Sequence, residues 1–432
     1  MRGAALQGGI PFHRAQKLRT LHKALPWKNG SRTPYSSVEH QSKQRSATLG
    51  FDQFLGNERI VSALRRMLRR KRVPHALLFC GPRGIGRYTL AVMFAQAANC
   101  ERLEDDFCGE CPTCLAIGKL RQPEPLIEQG LAERGESPDS ATVERVPLIL
   151  ETHPDVWALV PDPVRRNRPA ARPVLRMGQL RAAQRAAYFQ PVARRRVFIL
   201  DSAETMRWDY ADIFLKILEE PPETATFILT AQRPEDLRPT IRSRAVTFRF
   251  APVAPPLVDE FLKERTEWNA PERQLAAQLA SGSPGAALRL DLEESARVRG
   301  EVVRLLELVA EGKAWSEVLG AVERLWKTES DRFENVLELF YSAFTDLLEF
   351  SCDFKGRIPR NPDLQGRMER LGRKIKPEQV RKMMESLDRL SAGLRRNINR
   401  QLSLDAAVLS WADIKPSSLT TGNTGWRQGD RR

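Results

Sequence analysis

The segment Gly81-Pro82-Arg83-Gly84-Ile85-Gly86-Arg87-Tyr88-Thr89 constrains this chain more than any other, because it has the frame of the G-x-x-x-x-G-K-[ST] loop. Its glycines fall where a backbone has to curl around a phosphate. An apolar run, 75–80, leads into it, and a stretch of helical periodicity follows it to Ala98. Further short apolar runs occupy 156–160, 197–201, 226–231 and 245–250, separated by helical patterns. That alternation predicts an α/β fold, a parallel sheet covered by helices. Ligands in such folds gather at the carboxyl ends of the strands, and the run 197–201 ends there in Asp201.

The loop nevertheless lacks its working groups. Arg87 stands where a lysine would reach the β- and γ-phosphates, and the phenol of Tyr88 replaces the hydroxyl that would hold Mg²⁺. Thr89 lies one residue further on, turned by about 100° around the helix. After Asp201 comes Ser202, with Glu204 two places beyond, where hydrolysing proteins carry a glutamate directly. Phosphoryl transfer depends on positioning and charge neutralisation, so these losses together predict a site that no longer turns over. Gly81, Gly84, Gly86, Arg87, Thr89 and Asp201 form a vestigial nucleotide site, with ATP binding weak or absent.

Cys100 precedes Cys108-Gly109-Glu110-Cys111-Pro112-Thr113-Cys114. Two-residue gaps let thiolates converge on one ion, and four sulfurs complete a closed structural Zn²⁺ tetrahedron. An iron–sulfur cluster and unligated thiols are the alternatives. Cys80 and Cys352 stand alone and read as core residues.

The formal charge of +15 points towards polyanions such as DNA, although much of it sits in the first fifty residues, where lysines and arginines face a single acid, Glu39. Residues 1–48 read as a basic, disordered extension, either a DNA-binding arm or simply solvated. They lack the apolar core of a secretory signal, and no run is long enough to span a membrane. A reducing cytoplasmic setting follows. Residues 49–252 form the sheet domain, with the cysteine module near 100–114 and a Pro/Glu-rich surface insertion at 119–150. A Pro-rich joint at 251–256 precedes a small helical domain, 253–292, and a second all-helical domain, 293–414; residues 415–432 form a polar tail. The Arg-rich stretch 181–196 reads as a solvated face or as a DNA or inter-subunit contact.

Two further segments carry a resemblance. Phe214-Leu215-Lys216-Ile217-Leu218-Glu219-Glu220-Pro221-Pro222 precedes the fourth run, and Leu237-Arg238-Pro239-Thr240-Ile241-Arg242-Ser243-Arg244 precedes the fifth. With the degenerate loop, the cysteines and His153-Pro154-Asp155, they resemble the clamp-loader branch of the AAA+ family, in its delta-prime type. The resemblance spans roughly 51–411 and is strongest up to Phe250. It implies that Arg244, with Ser243, is an arginine finger acting in trans on the ATP site of a neighbouring subunit. It also implies that 253–292 is a lid and 293–414 a collar. Within the lid, Gly285 replaces a sensing arginine, and 397–405 resembles the closing collar helix. Ala245 departs from the family, which usually has cysteine there.

The implied protein is a non-hydrolysing subunit of the DNA polymerase III assembly, without catalytic activity of its own. Its expected partners are gamma/tau and delta subunits, the beta sliding clamp and, through the complex, primer-template DNA. The alternatives are an active gamma/tau-like ATPase and a free-standing DNA-binding protein.

Overall fold

A computed structural model describes residues 50–135, 138–164, 173–329, 333–352, 359–393 and 399–412. Every described residue lies in one compact unit. The expected extension 1–48, the tail 415–432 and the start of the 397–405 segment lie outside the described residues.

Six strands form one sheet: β1 (Ala76–Cys80), β2 (Ile149–His153), β3 (Val156–Leu159), β4 (Arg196–Leu200), β5 (Ala225–Ala231) and β6 (Val246–Arg249). Their order is β2-β3-β4-β5-β1-β6. All neighbours are parallel except β2, which runs antiparallel to β3. The sheet is therefore mixed where the sequence suggested a purely parallel one. Strand β2 escapes the apolar-run pattern because its edge position leaves Glu151 exposed and Thr152 and His153 half-buried.

Strands β1, β4 and β5 are buried throughout, as expected for strands covered on both faces. One face packs Leu78, Phe198, Leu200 and Phe227 against α6 (Met177–Ala187) and α7 (Trp208–Glu219) through Leu180, Phe214 and Ile217. On the other side, α2 (Arg87–Asn99) contacts β4 and β5. It is buried almost all round, and its alanines permit that close approach. Helix α1 (Glu58–Arg69) buries Ile60, Val61, Leu64 and Leu68, a single stripe at helical spacing.

Residues 119–150 are not the surface excursion that their composition suggests. After α3 (Pro112–Gly118) come α4 (Glu124–Ala132) and α5 (Ser140–Arg145), which bury Ile127, Leu131 and Val143, and the segment ends inside β2. Arg134 and Asp162 lock it to the sheet domain: their side chains are 1% and 0% exposed and joined at 2.8 Å. The Arg134 Nε–H also donates to the Val146 carbonyl.

Beyond the sheet, α8 (Pro239–Arg242) precedes β6, and α9 (Pro255–Lys263), α10 (Ala270–Leu279) and α11 (Pro284–Leu288) follow it. Next come α12 (Leu292–Ala310), α13 (Trp315–Glu329), α14 (Phe333–Ser351), α15 (Gln365–Lys374), α16 (Pro377–Gly393) and α17 (Arg400–Ala412). These last six share a core in which Trp411 meets Phe340 and Phe344 edge to face. The Trp411 indole N–H donates to Ser386, which satisfies the one polar atom that its burial would strand. Among the described residues no helix is long and apolar enough to cross a membrane.

Candidate functional site

The glycine loop joins β1 to α2 at the carboxyl edge of the sheet. Gly84 and Gly86 have φ of +78° and +99°, a region open to glycine and costly for other residues. A Cβ on Gly84 would lie 2.5 Å from the Ala286 nitrogen, and one on Gly86 would lie 2.8 Å from the Phe54 ring. The Gly285 N–H donates to the Gly84 carbonyl at 2.9 Å. Helix α11 thus rests its backbone directly on the loop, and Gly285 is what allows so close an approach.

The side chains after the loop turn three ways. Arg87 is buried, and burial depresses its guanidinium while Glu204 and Asp201 support the charge. Its Nη1 has no hydrogen-bond partner among the described residues. Tyr88 points towards the cysteine module, where its hydroxyl donates to the Leu120 carbonyl. Thr89 is exposed. Across the site Asp201 accepts from Thr230 Oγ1 at 2.7 Å and weakly from Ser202 Oγ at 3.4 Å. Burial raises the Glu204 carboxyl, against the pull of Arg87. Sequence reasoning did not find Thr230; a hydroxyl near the carboxyl end of a largely apolar strand is the signal that it left unused.

The four module cysteines do come together. Cys100, Cys108, Cys111 and Cys114 are buried and their sulfurs lie within 4.8 Å of one another. A tetrahedral Zn–S₄ site with bonds of about 2.3 Å has edges of about 3.8 Å, so the donor set fits one such ion with small inward shifts. The Cys111, Cys114 and Leu103 N–H groups donate to the sulfurs of Cys108, Cys111 and Cys100 respectively, which favours thiolates. Burial raises the Cys108 thiol, but N–H donors of Glu110 and Cys111 outweigh it and bring the thiol down to about 7. Burial pushes Cys114 up. The Thr113 hydroxyl and N–H both donate to Glu101, closing the module on itself.

Asp155, in the His153–Asp155 turn, is a structural acceptor. It takes N–H donations from Val192 and Ala193, while Asn99 Oδ1 takes those of Arg194 and Arg195. The Arg-rich stretch is therefore not one solvated face. Arg181, Arg185 and Arg194 are exposed, but Arg195 is half-buried against Thr226, and Arg196 is buried as the first residue of β4.

Ser243 and Arg244 follow α8. The Ser243 hydroxyl and the Arg244 Nη1 both donate to the Thr240 carbonyl, at 3.1 and 3.0 Å, and Arg244 Nη2 donates to Glu219 Oε1 at 2.9 Å. An open cleft of about 650 Å³ lies beside them, lined by Pro234, Pro239, Arg242, Ser243, Thr247 and Arg249.

Residues 56–254 match the family described as DNA polymerase III, delta subunit. The DNA polymerase III subunit delta′ of Pseudomonas aeruginosa is 26% identical over 349 residues, 79% of this chain and 92% of that protein. The subunit tau of Bacillus subtilis is 26% identical over 306 residues, 67% of this chain and 46% of that protein. The chain thus spans less than half the length of the tau and gamma/tau relatives that it matches. A gamma subunit-related protein of Thermotoga maritima aligns over 82% of this chain and 99% of its own, with 17% identity and a TM-score of 0.33. The family match and the relatives point the same way as the motifs: the chain is similar to the delta′ and gamma/tau subunits of DNA polymerase III.

Proposed function

We propose that this chain is a non-hydrolysing, delta′-type subunit that lends Arg244 in trans to the ATP site of an adjacent gamma/tau subunit, and so helps to load the beta clamp on primer-template DNA in the cytoplasm. One observation carries this reading. Arg87 is drawn into an interior with Glu204 and Asp201, Tyr88 is bonded to Leu120, and Thr89 is exposed. The groups that would hold a nucleotide's phosphates and Mg²⁺ are thereby diverted, while Arg244 stays at the surface with donors to spare.

In this reading the sheet domain, 49–252, keeps the shape of a nucleotide-binding domain, 253–292 acts as a lid fixed on the loop, and 293–414 joins the collar through which it meets gamma/tau and delta subunits. An arginine supplied in trans is worth on the order of 10³–10⁵ in rate where such fingers have been measured. The test is clamp- and DNA-stimulated ATP hydrolysis by the complex reconstituted with gamma/tau and delta, comparing wild type with Arg244→Ala. A large fall at unchanged assembly is expected. No change would reduce the chain to a scaffold.

The four cysteines hold one structural Zn²⁺ in this reading, since a closed four-sulfur set leaves no open position for catalysis. Elemental analysis of the purified chain is expected to give one zinc per chain in a colourless protein, lost in Cys111→Ser together with protection of α3 from hydrogen exchange. A brown protein containing iron would overturn this assignment.

A further inference from the structure

We infer that Glu219 is the positioning residue for Arg244, aiming its guanidinium at the neighbouring subunit; this rests on the trans reading of Arg244. The two residues are 25 apart in sequence and meet because α7 packs against α8. Glu219 is the last residue of α7, and its carboxylate is held by a firmly seated helix end. Phe214, Ile217 and Leu218 are buried below it, and Pro221 and Pro222 stop the chain from continuing as helix. On the other side, α8 places Arg244 one residue beyond the Ser243 cap.

The guanidinium is gripped at two points. Nη1 donates to the Thr240 carbonyl and Nη2 to Glu219 Oε1. An arginine has five N–H donors in a rigid fork, so this arrangement fixes the plane and leaves the other donors for an incoming anion. A residue that merely parked the arginine would occupy the fork; Glu219 meets one nitrogen only.

The energetics favour aiming over stabilising. The side chains are 35% and 52% exposed, and ion pairs exposed to this degree contribute little to folding. A contact so weak adds little to the fold, yet it restricts a long side chain that otherwise has many rotamers. Reactions that depend on placement are sensitive to this, since a misplacement of about 1 Å can cost on the order of 10² in rate.

The experiment uses the full chain in the reconstituted complex, with Arg244→Ala as reference. Glu219→Ala is expected to lower the stimulated kcat at the served site about tenfold, with KM for ATP, assembly and Tm unchanged. Glu219→Gln, whose amide oxygen can still accept from Nη2, is expected to retain most of the rate. Glu219→Ala on the Arg244→Ala background is expected to add nothing, because the two residues act as one unit. If Arg244→Ala is impaired while Glu219→Ala matches or exceeds wild type, Glu219 does not position the arginine. A Glu219→Ala defect that persists fully without Arg244 also overturns the inference, by showing a general structural role. If Arg244→Ala itself has no effect, the trans reading fails first.

Discussion

At the scale of single residues, the loop shows how one exchange redirects a site. Arginine at position 87 is longer than the lysine it replaces and cannot shed its charge, so burying it requires carboxylates nearby. Glu204 and Asp201 supply them. The arrangement has a pH signature. Burial raises the Glu204 carboxyl above its ordinary 4.5, so the unfolded chain releases this proton at lower pH than the native one does. Stability from this group is complete below about that ordinary value and declines as pH rises through the native one. Denaturant titrations of wild type and Glu204→Gln at a series of pH values should show wild type losing stability relative to the variant as pH rises above 4.5. A difference independent of pH would mean that Glu204 does not titrate in this range.

Among the elements, the segment between the cysteine module and β3 is the clearest case of structure overruling composition. Its prolines and acids suggested a surface loop, yet α4 and α5 pack and β2 extends the sheet. The fastening is ionic. In Arg134→Ala, Asp162 would keep the Val164 N–H at 2.7 Å and Arg176 at 3.8 Å, but it would lose its direct partner in a fully buried setting. Removing one member of a buried pair costs about 3–5 kcal/mol. Calorimetry of Arg134→Ala should therefore show a marked fall in Tm; a shift as small as that of a surface substitution would mean that the segment is held by its apolar contacts alone. Periodicity cannot reveal this pair, because arginine and aspartate in a polar stretch look the same whether they face water or each other.

For the whole molecule, the effect expected of Arg244→Ala belongs to the assembly and not to the chain. The guanidinium is partly exposed and holds little of the fold together, so its loss should register only when a neighbouring ATP site is present. The sequence by itself determined the α/β plan, since apolar runs of strand length and glycines at phosphate-loop spacing are local patterns that local chemistry enforces. It also pointed to the convergence of Cys108, Cys111 and Cys114, because two-residue gaps leave their sulfurs little freedom, whereas Cys100, with seven residues between it and Cys108, is brought to them by the fold. Only tertiary structure decided that Gly285 lies on Gly84, that Tyr88 faces Leu120, that Arg196 is buried while Arg194 is not, and that Glu219 meets Arg244. The three contacts join residues far apart in sequence, and which way a polar side chain turns, Arg194 and Arg196 included, depends on partners that the packing of whole elements delivers.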